Sequence, residues 1–351
     1  MAKDSEAALE VIGVDLGDRH SQVCVLDVDG AVAEESRLTT TDVAFRRYFS
    51  GRPRSRVVLE TGTHANWVHD LLAGAGHEVL VANARKVRAI SANERKSDTV
   101  DARMLARLGR ADVALLCPVT VRAADLRQDL ELVRARAALV VARTLLVNSV
   151  RGLAKAAGHR LSACSTASIH KQELHATLRA ALAPMLKILE CMSNEIRSYD
   201  KAVESLCEKR YPQTKLLRQV KGVGSLTALC FVLTIGAPAR FKDARAVGAY
   251  IGLVPRRDQS GAKDPQLRIS KAGDPMLRTL LVQCAHYILG RFGADCDLRR
   301  FGLKLAAHGG KSAKKRAVVA TARKLAVLLF ALWRSAEVYQ PLRNSALAKA
   351  S

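Results

Sequence analysis

The order of apolar and polar positions changes character along the chain, and each change marks an element. Val11 to Leu16 is a mainly apolar run, and Ser21 to Asp27 and Ala31 to Leu38 follow it around Asp29-Gly30. An Asp-Gly pair between β-type runs predicts a hairpin turn. A short helix is expected over 41–50. Arg56 to Glu60 (RVVLE) and Glu78 to Ala82 (EVLVA) read as two further strands, with a helix over 64–75 between them. From Asp98 to Arg110 the period is helical. Strands that alternate with helices in this way predict an α/β layer built on a mixed sheet.

From about residue 122 to 210 the chain turns rich in Ala, Leu and Arg and nearly free of Gly and Pro. It predicts long helices, a coiled-coil-like arm interrupted near 158–168 and at Pro184. From 214 a mainly helical region begins. Over 312–336 an apolar stripe (Val318, Leu325, Leu329, Leu332) follows the basic group Lys314, Lys315 and Arg316, predicting a packed helix with a basic start. The expected organisation is an α/β domain over 1–120, a helical linker over 121–212 and a mostly helical domain over 213–351.

Charge sharpens this picture. The 351 residues hold 56 Lys plus Arg against 33 acids, a formal charge of +23. So large an excess repels itself unless a polyanion is the partner, and nucleic acid is the first candidate. No apolar run approaches a membrane span, and the start of the chain does not read as a signal peptide, so a cytoplasmic protein with no membrane contact is expected. None of the eight cysteines forms a CxxC pair, which suits reduced, packed thiols and argues against a zinc site.

Four acids stand at positions where chemistry could gather. Asp15 ends the first strand run and Glu60 another, while Asp98 and Asp101 lie three apart at a helix start and share a face. Singly, each has an ordinary reading: a turn residue, a surface charge, a helix cap, an acid at a positive helix end. Together they repel unless cations lie between them. Mg2+ takes such oxygen ligands, and a pair of ions about 4 Å apart activates a nucleophile and stabilises a leaving oxygen. This is the logic of an RNase H-like nuclease sheet. An Asp-x-Gly strand end also opens actin-like kinases, but no second strand turn of that type follows.

Two further segments bear on a polyanion. In LLRQVKGVGSLTAL, the turn Lys221-Gly222-Val223-Gly224 between two helical stretches has a helix-hairpin-helix pattern, whose backbone N–H groups can hold a DNA phosphate. In 248–278, a polar loop carries Ser260-Gly261 at its tip among Arg256, Arg257, Lys263, Arg268, Lys271 and Arg278. Serine is a poor nucleophile unless its surroundings activate it, and by composition alone such a serine is more often a turn residue.

Taken in order, VIGVDLGDRHSQVCVLD, VVLETG, KSDTVDARMLARL, LLRQVKGVGSLTAL, YIGLVPRRDQSGAK and RISKAGDPMLRTLL resemble the IS-one-ten family of insertion-sequence transposases, DEDD recombinases that include Piv-type invertases. The resemblance covers nearly the whole chain. It implies a RuvC-like first domain in which Asp15, Glu60, Asp98 and Asp101 are catalytic Mg2+ ligands. It implies Ser260 as the nucleophile that forms a covalent protein–DNA intermediate. It also implies donor and target DNA as partners, a structured guide RNA, and a homo-dimer or tetramer. The loop departs from the family in Asp264 and Pro265, where a more basic or glycine-rich run is expected. Ser270 is read as structural. The alternatives are a RuvC-like metal-dependent nuclease of branched DNA that needs no serine, and a nucleic-acid-binding protein whose acids are structural.

Overall fold

The computed structural model describes residues 9–87, 97–261, 263–265 and 267–343. The chain divides into two compact units, Met1–Arg122 and Ala123–Ser351.

In the first unit five strands form one sheet in the order β3-β2-β1-β4-β5. They are β1 (Val11–Asp15), β2 (His20–Leu26), β3 (Val32–Thr39), β4 (Arg56–Glu60) and β5 (Glu78–Ala82). β1, β2 and β3 form an antiparallel meander, and β4 and β5 run parallel to β1. The meander turns where the Asp-Gly pair predicts. Asp27 Oδ1 accepts from the N–H groups of Asp29 and Ala31, and Gly30 takes a φ of 89° that a side chain would resist. Parallel pairs need a crossover, and α1 (Asp42–Phe49) and α2 (Ala65–Gly74) supply cover for one face. There Phe45, Phe49, Val68 and Leu72 bury Ile12, Val14, Val57 and Leu59.

The other face carries α3 (Asp98–Ala111), with Ala102, Leu105 and Ala106 against Val11, Val58 and Ala82. Here the fit is unusually close. A Cβ on Gly13 would stand 2.0 Å from Ala102 O and 2.5 Å from Ala106 N, and one on Gly109 would stand 2.4 Å from Val58 Cγ2. Because Ala102 and Ala106 lie over Gly13 while Gly109 lies over Val11 and Val58, α3 runs opposite to β1. Its first turn therefore sits at the carboxyl ends of β1 and β4. The mixed sheet, its order and its helical cover fit the RuvC-like expectation.

The second unit is mostly helical among its described residues. Its long pair, α4 (Ala124–Ala156) and α5 (Ala176–Lys209), is antiparallel, as shown by Arg136 on Asp200 and Arg143 on Ser193. The helices α6 (Thr214–Arg218), α7 (Ser225–Ile235), α8 (Ala244–Tyr250), α9 (Pro275–Leu289), α10 (Asp297–Ala306) and α11 (Gly310–Ser335) follow. α7 is apolar all round and forms the buried hub, with Leu229, Phe231 and Leu233 fully enclosed. Leu325, Leu329 and Leu332 of α11 pack in the same core, as their spacing predicts. At the foot of the arm the buried Asp129 accepts from Tyr211 Oη at 2.6 Å and from Arg210 Nη1 at 3.0 Å. Burial and that carboxylate raise the Tyr211 phenol well above its usual range.

One expectation fails in the arm. The break near 158–168 is present, but Pro184 lies inside a continuous α5. Pro184 removes one N–H and its ring crowds the preceding turn, a cost of about 3 kcal/mol. It is exposed, so water can satisfy the freed carbonyl, while Leu182 and Leu186 on the opposite face are buried against α4 and hold the helix through the defect.

The tight seat of α3 yields a direct prediction. Gly13→Ala forces helix and strand apart and lowers unfolding free energy by about 1–3 kcal/mol, measured by urea denaturation. An unchanged midpoint would show that this contact yields freely.

Candidate active site

The sheet register decides where two of the acids point. In the parallel β1–β4 pair, Val14 stands opposite Leu59, so Asp15 and Glu60 are the next positions along neighbouring strands. Neighbouring strands lie about 4.8 Å apart, and side chains alternate faces. Asp15 therefore leaves on the face of Gly13, and Glu60 on the face of Val58, which is the face α3 covers. Both are half-buried.

Asp98 and Asp101 open α3 behind the N-cap Ser97, whose hydroxyl accepts from Val100 N. Acids in this turn favour the positive end of the helix. Asp101 is buried, at 5% exposure, and Asp98 is exposed. The backbone thus brings all four predicted acids to one end of the sheet, on one face. Among the described residues no three Asp, Glu, His or Cys side chains are gathered closely enough to hold a metal ion. The donor set still fits a hard divalent cation, because every donor is a carboxylate oxygen and two of them rise from adjacent strands.

Loops at the same sheet end are tied together by residues that the sequence alone does not single out. Trp67 Nε1 donates to His64 Nδ1 at 3.0 Å, and His64 Nε2 lies 3.9 Å from Asp18 Oδ1. The contact joins the segment after Asp15 to the segment after Glu60.

In the second unit, Ser260 sits at the tip of a protruding hairpin. Ser260 N donates to Lys263 O at 3.1 Å and Lys263 N donates to Ser260 O at 3.0 Å. This reciprocal pair closes a two-residue turn, and Gly261 adopts the positive φ of 55° that such turns need. Ala262 and Gln266, in the same loop, lie outside the described residues. As cross-strand partners, Ser260 and Lys263 project to the same face. Arg256, Arg257 and Arg268 are exposed beside them. Asp264, one of the departures from the family pattern, lies 3.6 Å from Arg257 across the hairpin. Both are exposed, so the pair is worth at most about 1 kcal/mol.

The hairpin is rooted firmly. Arg256 N donates to Arg268 O, Ser270 N to Val254 O and Lys271 N to Gly252 O. At Gly252, with φ 77°, a Cβ would lie 2.2 Å from Ala272 O; Lys271 itself holds a left-handed φ of 54°. Arg278 Nη1 donates to Ile251 O at 2.9 Å and to Ala272 O at 2.7 Å. Arg278 therefore braces the hairpin through Nη1. Asp274 caps α9 through Leu277 N at 2.9 Å and also meets Arg134 of α4 at 3.2 Å. The Asp274-Pro275 helix-start signature is legible in the sequence; its partner on the arm is not.

The Lys221–Gly224 turn lies between α6 and α7, as the sequence predicts. Gly222 takes a φ of 99°, and a Cβ there would stand 2.7 Å from Tyr287 Cδ1, so packing explains the glycine. Ser225, at the start of α7, donates its hydroxyl to Glu204 Oε1 at 2.5 Å. Asp200, Glu204 and Glu208 line the cavity beside Gly224 and Ser225. Carboxylates thus lie beside the start of α7, while Gly224 is exposed with open space around it. Lys221 is exposed at its edge. Lys314, Lys315 and Arg316 are exposed in the first turns of α11, with no acid in its first turn. Cations at the positive end of a helix are unfavourable unless an anion comes to them.

Comparison with known proteins fits this geometry. Residues 12–180 match DEDD_Tnp_IS110, described as a transposase, and residues 214–299 match the family described as Transposase IS116/IS110/IS902. The class is therefore that of DEDD transposases, which implies a DNA substrate and dependence on a divalent metal ion. The chain is 30% identical over 346 residues to the transposase for insertion sequence element IS1111A of Coxiella burnetii, covering 95% of this chain and 92% of that one. It is 29% identical over 349 residues to a probable family 20 transposase of Pseudomonas aeruginosa, covering 95% and 99% of the two chains. Over 123 residues, 35% of this chain and 37% of the other, it is 31% identical to the pilin gene-inverting protein of Moraxella lacunata. The chain belongs to the IS116/IS110/IS902 family of transposases, the IS-one-ten family that its motifs resemble. Among the described residues no helix is long and apolar enough to cross a membrane.

Removing the brace tests how the serine hairpin is held. Arg278→Ala speeds amide hydrogen exchange at Ser270 and Lys271 by roughly tenfold, as expected for losing about 1.5 kcal/mol of charged hydrogen bonding. Exchange at wild-type rates would show that the glycine-rich root holds the hairpin without it.

Proposed function

We propose that this transposase excises and inserts an insertion sequence through a covalent bond between Ser260 and a DNA phosphate. The observation that carries the proposal is Ser260 at the tip of an exposed hairpin, paired with Lys263 and flanked by Arg256, Arg257 and Arg268. These cations hold the phosphate and stabilise the oxyanion that Ser260 becomes as it attacks. The Ser260 Oγ–P bond forms as one bridging P–O bond breaks, and the departing DNA oxygen takes up a proton. Attack by a DNA hydroxyl on the phosphoserine reverses the step, restores Ser260 and joins the new strands. The bond energy is kept in the ester, so strand exchange needs no separate energy source.

Asp15, Glu60, Asp98 and Asp101 would hold Mg2+, which neutralises the phosphate and activates the attacking and leaving oxygens. Of the remaining cations, Lys271, Lys314, Lys315 and Arg316 are assigned to the DNA or RNA backbone. Such contacts position a duplex and carry no sequence information. We assign that information to a structured guide RNA, since pairing can specify a target while the protein holds the backbone. The charge of +23 supports the simultaneous holding of DNA and RNA. Two duplexes must be cut together, so a homo-dimer or tetramer is the proposed working form.

The test is made in cells carrying the gene with its native flanking DNA, by quantitative amplification across the excision junction. Ser260→Ala and Asp98→Ala each reduce the junction about a thousand-fold or more, while the purified variants still bind DNA. A junction that survives Ser260→Ala would give the chemistry to the acids alone. One that survives Asp98→Ala would remove that acid from the metal site.

A further inference from the structure

The far end of the helical arm carries a cluster that plays no part in the chemistry above. α4 ends at Ala156, and the chain turns through Gly158, with φ 75°, into the segment 159–165. This segment is folded back and fixed. Arg151 Nη2 donates to Cys164 O at 3.2 Å, Ser162 N donates to Gln172 Oε1 at 3.1 Å, and His159 Nε2 lies 3.2 Å from Glu173 O. Beneath it Val147, Val150, Ile169 and Leu189 form a small core of their own. The result is a shaped end with its own packing.

Between helix and segment lies a cavity of about 390 Å³, lined by Arg151, Lys155, His159, Arg160, Ser162 and Cys164 together with two apolar neighbours. No carboxylate lines it. Cations in a last helical turn can be explained by the negative end of the helix, and this accounts for Lys155. It does not account for Arg160, which lies beyond the helix and is exposed on the same cavity. Three permanent cations that converge on a walled opening, with a serine hydroxyl among them, match a phosphodiester group.

We propose that the arm tip is a second nucleic-acid backbone site, taking a phosphodiester through Lys155, Arg160 and Arg151. Its position supports a ligand that also reaches the serine hairpin. Arg134 of α4 meets Asp274 at the hairpin root. From Arg134 to Lys155 the helix rises about 32 Å at 1.5 Å per residue. One turn of duplex spans about 34–36 Å. A helical strand held at the hairpin and running along the arm presents a phosphate to the tip one turn further on. The ligand class rests on the reading of the chain as a DNA transposase, but not on attack by Ser260. Failure of the serine assignment in the junction assay leaves the tip site standing.

The test uses the full chain without divalent metal, with fluorescence anisotropy on two probes: a duplex of about three helical turns and a structured RNA hairpin, each over a range of salt. The variant Lys155→Ala/Arg160→Ala removes exposed side chains only, and circular dichroism checks its fold. It is expected to weaken binding about tenfold and to make the slope of log K against log salt shallower by about 2, the loss of two phosphate contacts. A matched change of exposed arm cations outside the cavity, Lys187→Ala/Lys201→Ala, is expected to alter binding less than twofold. A loss on DNA alone or RNA alone supports the site and names its ligand. Unchanged affinity and slope on both probes overturns the proposal, as does an equal loss in the matched variant. In the wild-type chain, bound probe is expected to protect Lys155 from amine labelling; a Lys155 labelled equally with and without either probe overturns it without recourse to any variant.

Discussion

The first unit depends on how closely one helix can approach one strand. α3 rests on β1 with Gly13 directly under Ala102 and Ala106, at a separation that leaves no room for a Cβ. Gly109 repeats the device three turns from the helix start, over Val58. Small residues at these places fix the height of α3 above the sheet, its direction and its register. Fixing them carries the first turn, with Asp98 and Asp101, to the ends of β1 and β4. Four acids from three elements then share one end of one face. No contact among the acids could arrange this, since like charges repel. The apolar packing of Leu105 and Ala106 holds the helix in place and so keeps its first turn at that end of the sheet.

The second unit solves a different problem, that of holding an exposed polar loop still. A hydroxyl in a free loop would sample many positions, and misplacement of a nucleophile is costly in rate. Here backbone pairs run from Lys271–Gly252 up to Ser260–Lys263, and Arg278 gathers carbonyls at the root. Asp274 joins that root to the arm through Arg134. The loop is therefore part of a framework that reaches from the buried hub around α7 to the arm.

Much of this was legible in the sequence, and the reason is local. RVVLE and EVLVA are strands in full because a short apolar run bounded by turns has few other uses. Asp29-Gly30 turns the chain because only a few residues accept that backbone. The positions of Asp15 and Glu60 at strand ends followed from the same runs. What escaped involves partners far apart in sequence. Pro184 looked like a break because propensity is local, whereas the apolar face that carries α5 past it is supplied by α4. The hold of Arg278 on the carbonyls of Ile251 and Ala272 joins residues up to twenty-seven positions apart and has no local signal. The bond from Ser225 at the start of α7 to Glu204, twenty-one residues earlier, is equally non-local.

The central claim is that Ser260 becomes joined to DNA. The direct measurement incubates the purified chain with Mg2+, RNA transcribed from the DNA flanking its gene, and labelled DNA spanning an element end. Trapped protein–DNA adducts are then digested and mapped by mass spectrometry. A nucleotide ester is expected on the peptide containing Ser260. An ester at Ser270, or nicked DNA with no adduct at all, would contradict it.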